Sequence, residues 1–223
     1  MKSRLLILLL PGVLFAAPPG ALAAGEQTFA TVDAAVSALR TAAARHDTNA
    51  LHAIFGPEGR KLVSPDAVQA TAEYLRFVQR LAEKTQWVTN SDSCLTLDLG
   101  ADAWPFPIPL AKAQGRWFFD TAAGAAEILN RRIGQDELGA IEVCRAYVEA
   151  QREYASQDRL INGRMLAGFA LVAWPAEWAN SGVMTFIVNQ QGKVYQRNLG
   201  RRTARLAAAI TRFDPDPNWT PTP

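Results

Sequence analysis

Three aspartates are the acids best placed to do chemistry: Asp98 and Asp102 lie at the edge of a proline-rich stretch, and Asp120 follows Trp117-Phe118-Phe119. Two carboxylates meeting beside aromatic rings could cleave a sugar linkage, one as acid and the other as base or nucleophile. The competing reading is local, because acids at strand ends form turns. His46 and His52 stand six residues apart, which puts them on different faces of a helix. No nearby Cys or third His completes a ligand set, so no metal and no cofactor is expected. The sequence has no Gly-x-Ser-x-Gly elbow, Walker loop or dinucleotide fingerprint, so no nucleophile is singled out.

Other residues suit binding. Arg131 and Arg132 stand beside Gly134 and Glu137. Either the guanidiniums complement a helix C-terminus, with one reaching Glu137, or they clamp a carboxylate or phosphate. Tyr147, Gln151 and Tyr154 are spaced four and three apart, so they share a helix face and could hydrogen-bond to one another. In Trp104-Pro105-Phe106-Pro107-Ile108-Pro109-Leu110, each proline holds the preceding residue extended, which sets Trp104, Phe106 and Ile108 on one side. One edge of that segment lacks every amide donor and cannot pair in a sheet. Two readings stand: a blunted edge strand covering the core, or a rail presenting Trp104 and Phe106 to a partner or glycan. Arg197, Arg201, Arg202, Arg205 and Arg212 form a second basic cluster, either a solvated helix face or a contact to an anionic envelope polymer.

Helical spacing over Val32–His46, Thr48–Phe55 and Ser64-Pro65-Asp66 to about Lys84 predicts three helices. The third turns Val68, Leu75, Val78 and Leu81 inward. From Thr85 the period becomes two, and strands are expected around Trp87-Val88, Leu95 to Leu99 and Arg116 to Phe119. Thr121–Ile133 returns to helix and ends at a Gly134 cap. Asp136 then caps a long helix to about Gln157, with Arg145–Glu149 and Glu149–Arg152 as surface ion pairs. Phe169–Trp174, Val183–Val188 and Lys193–Leu199 read as antiparallel strands, Arg201–Phe213 as a short helix and residues 214–223 as a fraying tail. The fold class is α+β: N-terminal helices with an antiparallel sheet over 24–120, then over 121–213 a long helix packed on a small antiparallel sheet.

Lys2 and Arg4, the apolar run Leu5–Ala17 and the small-x-small site Ala21-Leu22-Ala23 read as a secretory leader spanning residues 1–23. The apolar run is too short and too proline-broken to span a bilayer, so no stable membrane span is expected after cleavage. Removing Lys2 and Arg4 from the 23 basic residues leaves 21 against 21 acidic. That balance withdraws compositional support for nucleic-acid binding. Export also bears on Cys94 and Cys144, which read either as a disulfide contributing roughly 4 kcal/mol or as two core thiols.

The Trp104–Leu110 run, Phe119-Asp120-Thr121 with Gly124, and Arg131-Arg132-Ile133-Gly134 with Glu137 closely resemble an exported bacterial family. Ala150-Gln151-Arg152-Glu153-Tyr154-Ala155, Gly168–Pro175 and Gly182–Asn189 carry the same likeness. The family is known as domain of unknown function 2950, and the resemblance covers nearly the whole mature chain but implies no activity and no catalytic residues. In similar chains a Gly- and Tyr-rich segment separates the long helix from the C-terminal strands, whereas here Asp158-Arg159 runs almost directly into Leu160, as after an internal deletion. At the level of fold, helices before a curved sheet resemble the nuclear-transport-factor-like cone, and the long helix leading into Ala173-Trp174-Pro175 resembles the globular part of pseudopilins. The expected function is that of a periplasmic or secreted, non-enzymatic binding or envelope-assembly module whose partner is an envelope protein or polymer. Its contact residues are Trp104, Phe106, Arg131, Arg132, Glu137, Tyr147, Gln151 and Tyr154. The alternative is a carboxylate-dependent hydrolase of envelope sugars using Asp102 and Asp120.

Overall fold

The computed structural model describes residues 25–63, 66–158, 160–161, 164–165 and 168–222. The expected leader and cleavage site, Ser64-Pro65, and Arg159 at the expected deletion point lie outside them. The architecture is α+β, and it divides into two compact units, one ending at Glu127 and the other beginning at Ile128.

In the first unit, side-chain caps start the helices. Thr31 Oγ1 accepts the Ala34 amide at 3.1 Å to open α1 (Val32–Ala44), and Asp47 Oδ1 accepts that of Ala50 at 2.9 Å to open α2 (Thr48–Phe55). Asp66 Oδ1 takes the Val68 and Gln69 amides, at 2.8 and 3.0 Å, to open α3 (Ala67–Glu83). Each cap pairs donors that a helix start leaves open. The inner face of α3 differs from the predicted one. Val68 and Leu75 point to solvent, at 81% and 56% exposed, while Phe77, Val78 and Leu81 pack on the core. Tyr74 donates its hydroxyl to the Ala43 carbonyl, so Tyr74 and Phe77 join Val78 and Leu81 on the inner face.

Strands β1 (Thr85–Ser91), β2 (Cys94–Leu99), β3 (Trp104–Pro105), β4 (Leu110–Ala113) and β5 (Arg116–Phe119) form one antiparallel sheet. β3 and β4 both pair with β2, Leu99 opposite Trp104 and Leu95 opposite Leu110. Between them, Thr96 and Leu97 of β2 face the longer stretch Phe106–Pro109, so the proline run is a bulge along an interior strand. It does pair: the Phe106 amide, left intact between two prolines, donates to Leu97 O at 2.7 Å. Phe106 and Ile108 are buried in the core, which corrects the reading of Phe106 as a contact residue.

The bulge also explains a glycine. A Cβ on Gly124 would sit 2.6 Å from Ile108 Cγ1 and 3.1 Å from its Cα, so only glycine lets the first turns of α4 lie against the proline run.

Helix α4 (Thr121–Asp158) runs unbroken through Gly134, contrary to the predicted stop. Gly134 has no left-handed φ to end the helix, and glycine inside a helix costs only about 1 kcal/mol relative to alanine. In the second unit its Ile141, Cys144 and Val148 pack with Phe186, Val188 and Val194. After the short hairpin β6 (Leu160–Ile161) and β7 (Arg164–Met165) come β8 (Ala170–Ala173), β9 (Met184–Asn189), β10 (Tyr195–Asn198) and β11 (Thr220–Pro221). The last four form an antiparallel sheet in the order β11-β10-β9-β8. The predicted helix over 201–213 is shorter: a 3-10 turn over Gly200–Arg202 leads into α5 (Thr203–Ala208), with Thr203 and Ala207 buried.

The described part of the tail does not fray. Trp219 is 9% exposed, Thr220 and Pro221 pair with β10, and the Thr222 amide donates to Val194 O at 3.0 Å. The Asp216 carboxyl accepts the Asn218 backbone amide and pairs with Arg197, and these contacts hold its pKa below the usual carboxylate range. A depressed carboxylate favours the fold above its unfolded-state pKa and loses that effect as pH falls through the folded one, so this turn weakens only in acid.

Candidate functional site

Each unit gathers some of the residues with chemical potential. In the first, the Arg80 guanidinium lies 5.1 Å from the Trp104 ring centroid and donates to Asp102 Oδ2 at 2.8 Å. Trp104 is therefore half-buried under a cation, not presented as a bare platform. Asp120 caps α4 by accepting the Ala123 amide at 2.9 Å, and Asp98 sits in β2 opposite Pro105. The three aspartates thus have an ion-pair, a capping and a strand position. His46 packs on Tyr74 at 5.0 Å, and His52 lines a surface depression of about 320 Å³ with Gly56, Pro57 and Arg60. No cluster of three or more His, Cys, Asp or Glu residues that could hold a metal ion occurs among the described residues.

The second unit holds the denser arrangement, on α4 and the loop Trp174–Val183. Glu137 Oε1 accepts the Val183 and Met184 amides at 2.7 and 2.8 Å, so this carboxylate straps the entry of β9 to the helix. Arg132 reaches the same loop through Asn180, at 3.4 Å to the carbonyl and 3.3 Å to Oδ1. Arg131 and Arg132 lie in the body of α4, so the helix-terminus reading is withdrawn, and Glu137 is a strap rather than their partner. The loop is tied internally: Ser181 Oγ accepts the Glu177 amide at 2.9 Å, and Asn180 Nδ2 donates to Glu177 Oε2 at 2.7 Å. Trp178 Nε1 donates to Asn198 Oδ1 at 3.0 Å. Ala179 takes φ +64°, a left-handed conformation that costs an L-residue about 1 kcal/mol. At the start of this loop Trp174 is 43% exposed, and Arg132 on α4 is exposed.

Tyr147 packs edge-on against Phe169 at 5.7 Å, Gln151 is half-buried and Tyr154 is exposed. Among the described residues these three do not hydrogen-bond to one another. Arg152, predicted to pair with Glu149, instead donates from Nε and Nη2 to the Gln190 carbonyl at 3.1 and 2.7 Å. The sequence motifs Gly168–Pro175 and Gly182–Asn189 mark only the two ends of the loop Trp174–Val183, although Trp178 and Asn180-Ser181 carry turn chemistry between them.

Cys94 and Cys144 are free thiols in this structure. Cys144 is fully buried and burial pushes its thiol pKa up, whereas Cys94 is partly exposed. A thiol-reactive dye added to the native protein is expected to label Cys94 and spare Cys144 until denaturant is added. Loss of both reactive thiols without reductant, and their return with it, would indicate the crosslinked alternative.

No helix among the described residues is long and apolar enough to cross a membrane. No curated protein and no solved structure matches the chain. A family model matches residues 26–160 and 156–222, nearly all of the described sequence. The chain therefore belongs to the family described as Protein of unknown function (DUF2950).

Proposed function

We propose that this protein is exported to the periplasm and acts there as a non-enzymatic binding or envelope-assembly module. The observation that carries the reading is the strapped loop Trp174–Val183. Its backbone is held by Glu137, Arg132 and its own polar side chains, while Trp174 stays 43% exposed. A pre-ordered loop with an accessible Trp, bonded through Asn180 to an exposed Arg, suits recognition, because little entropy is lost when a partner docks. Export is supported by the cationic start, the apolar run and Ala21-Leu22-Ala23. An internal deletion is part of the proposal, supported by two matched pieces that overlap at 156–160. The hydrolase alternative is weaker because Asp102 is engaged by Arg80 and Asp120 caps a helix.

The test is capture of envelope components by immobilised mature protein. Trp174→Ala with Arg132→Ala is expected to weaken retention by roughly tenfold or more, as for a central interface anchor. Equal retention by a folded double variant would remove the basis of the binding reading. Recovery of the protein from the cytosol with Met1 to Ala23 still attached would remove that of export.

A further inference from the structure

From Trp178 to Phe213 the chain carries six basic residues and no acidic one, although the mature protein as a whole is balanced. Arg197 is taken by Asp216 at 3.2 Å. Arg201, Arg202, Arg205 and Arg212 are all exposed, and among the described residues none has a carboxylate partner. α5 buries Thr203 and Ala207, one turn apart, and leaves Arg205 exposed, while the exposed Arg201 and Arg202 lie in the 3-10 turn that leads into it. Like charges this close in the chain repel, and no acid in this segment relieves them.

From this we infer that Arg201, Arg202 and Arg205, close together in the chain, form a docking face for a linear polyanion whose charges are phosphates. Charge complementarity argues for a polyanion. A guanidinium fork can take phosphate oxygens two at a time, which argues for phosphate as the charged group. A lipid surface fits less well. α5 has six residues, too few to lie along a membrane interface, and Leu206 is the one large exposed apolar side chain on it, at 37%. A nucleic-acid strand would also want aromatic stacking, whereas Tyr195 on the neighbouring strand is half-buried against Phe213 and under Lys193. The Trp174 loop reaches the start of this turn through Trp178, whose Nε1 shares Asn198 Oδ1 with the Gly200 amide, but supplies no basic residue to the face.

The experiment measures binding of the mature protein to fluorescent long-chain inorganic polyphosphate over a series of salt concentrations. Wild type is expected to bind, and Arg201→Ala/Arg202→Ala/Arg205→Ala to bind at least about tenfold more weakly, with a salt slope shallower by about 2. Arg45→Ala/Arg76→Ala/Lys84→Ala removes equal charge from the first unit and should keep wild-type binding. Trp174→Ala should keep it too, which separates this face from the partner-binding loop. Circular dichroism and melting confirm that each variant is folded. Absence of polyphosphate binding, equal loss in both triple variants, or tighter binding to phosphatidylglycerol vesicles or single-stranded DNA than to polyphosphate would each overturn the assignment.

Discussion

Phe119→Ala is expected to destabilise the first unit by about 3–5 kcal/mol, the cost of emptying a buried aromatic site. Phe119 is fully buried and meets Phe29, Phe55 and Phe106 at ring-centroid distances of 6.5, 5.6 and 6.4 Å, all edge-on. Edge-on geometry contributes beyond area burial, so removing the one ring common to all three contacts loses each of them. The same ring brings Phe29 on the N-terminal segment, α2, the proline bulge and β5 to one point. Denaturant unfolding followed by Trp fluorescence measures the loss. Phe119→Leu should recover more than half of it by restoring volume without the ring. A loss below about 1 kcal/mol for the alanine variant would contradict the placement of Phe119 at the core's centre.

Glu137→Ala is expected to cost the second unit about 2–4 kcal/mol, because a single carboxylate oxygen accepts two successive amides at the entry of β9. Removing it leaves both donors without their partner beside a helix and strand that pack on one another. Glu137→Gln keeps an acceptor oxygen but loses the charge, so about 1 kcal/mol is expected for it. Hydrogen exchange at the Val183 and Met184 amides reads the effect locally and should accelerate in the alanine variant while Val188 changes less. Unchanged exchange at both amides would show that another group holds the loop. The loop also needs Gly182, where a Cβ would come within 3.0 Å of Pro175 Cβ.

Much of the fold was legible because its signals are local. Thr31 and Asp66 mark helix starts through bonds made within three residues, and Gln190-Gln191-Gly192 marks a hairpin by its turn composition. What was not legible depends on contacts distant in sequence. Gly134 carries the signature of a helix end, but nothing local tells that Ile133 and Ile141 on either side of it are buried and favour continuation. The prolines of the Trp104–Leu110 run foretold a missing edge, yet the two-residue bulge that lets Phe106 bond to Leu97 is a property of register with β2. The candidate site was legible to the same degree. Arg132 and Glu137 were named from their spacing, while their common target, the loop around Asn180 and Val183, lies more than forty residues on.

The docking of Trp219 to Thr222 along β10 has a consequence for the order in which the molecule is made. A ribosome delivers those residues after β10, so until they emerge the sheet has an unguarded hydrogen-bonding margin available to any other strand. A stop codon placed at Trp219 would make that transient condition permanent, and self-association in the resulting protein would be the sign that the final strand acts as a selvedge.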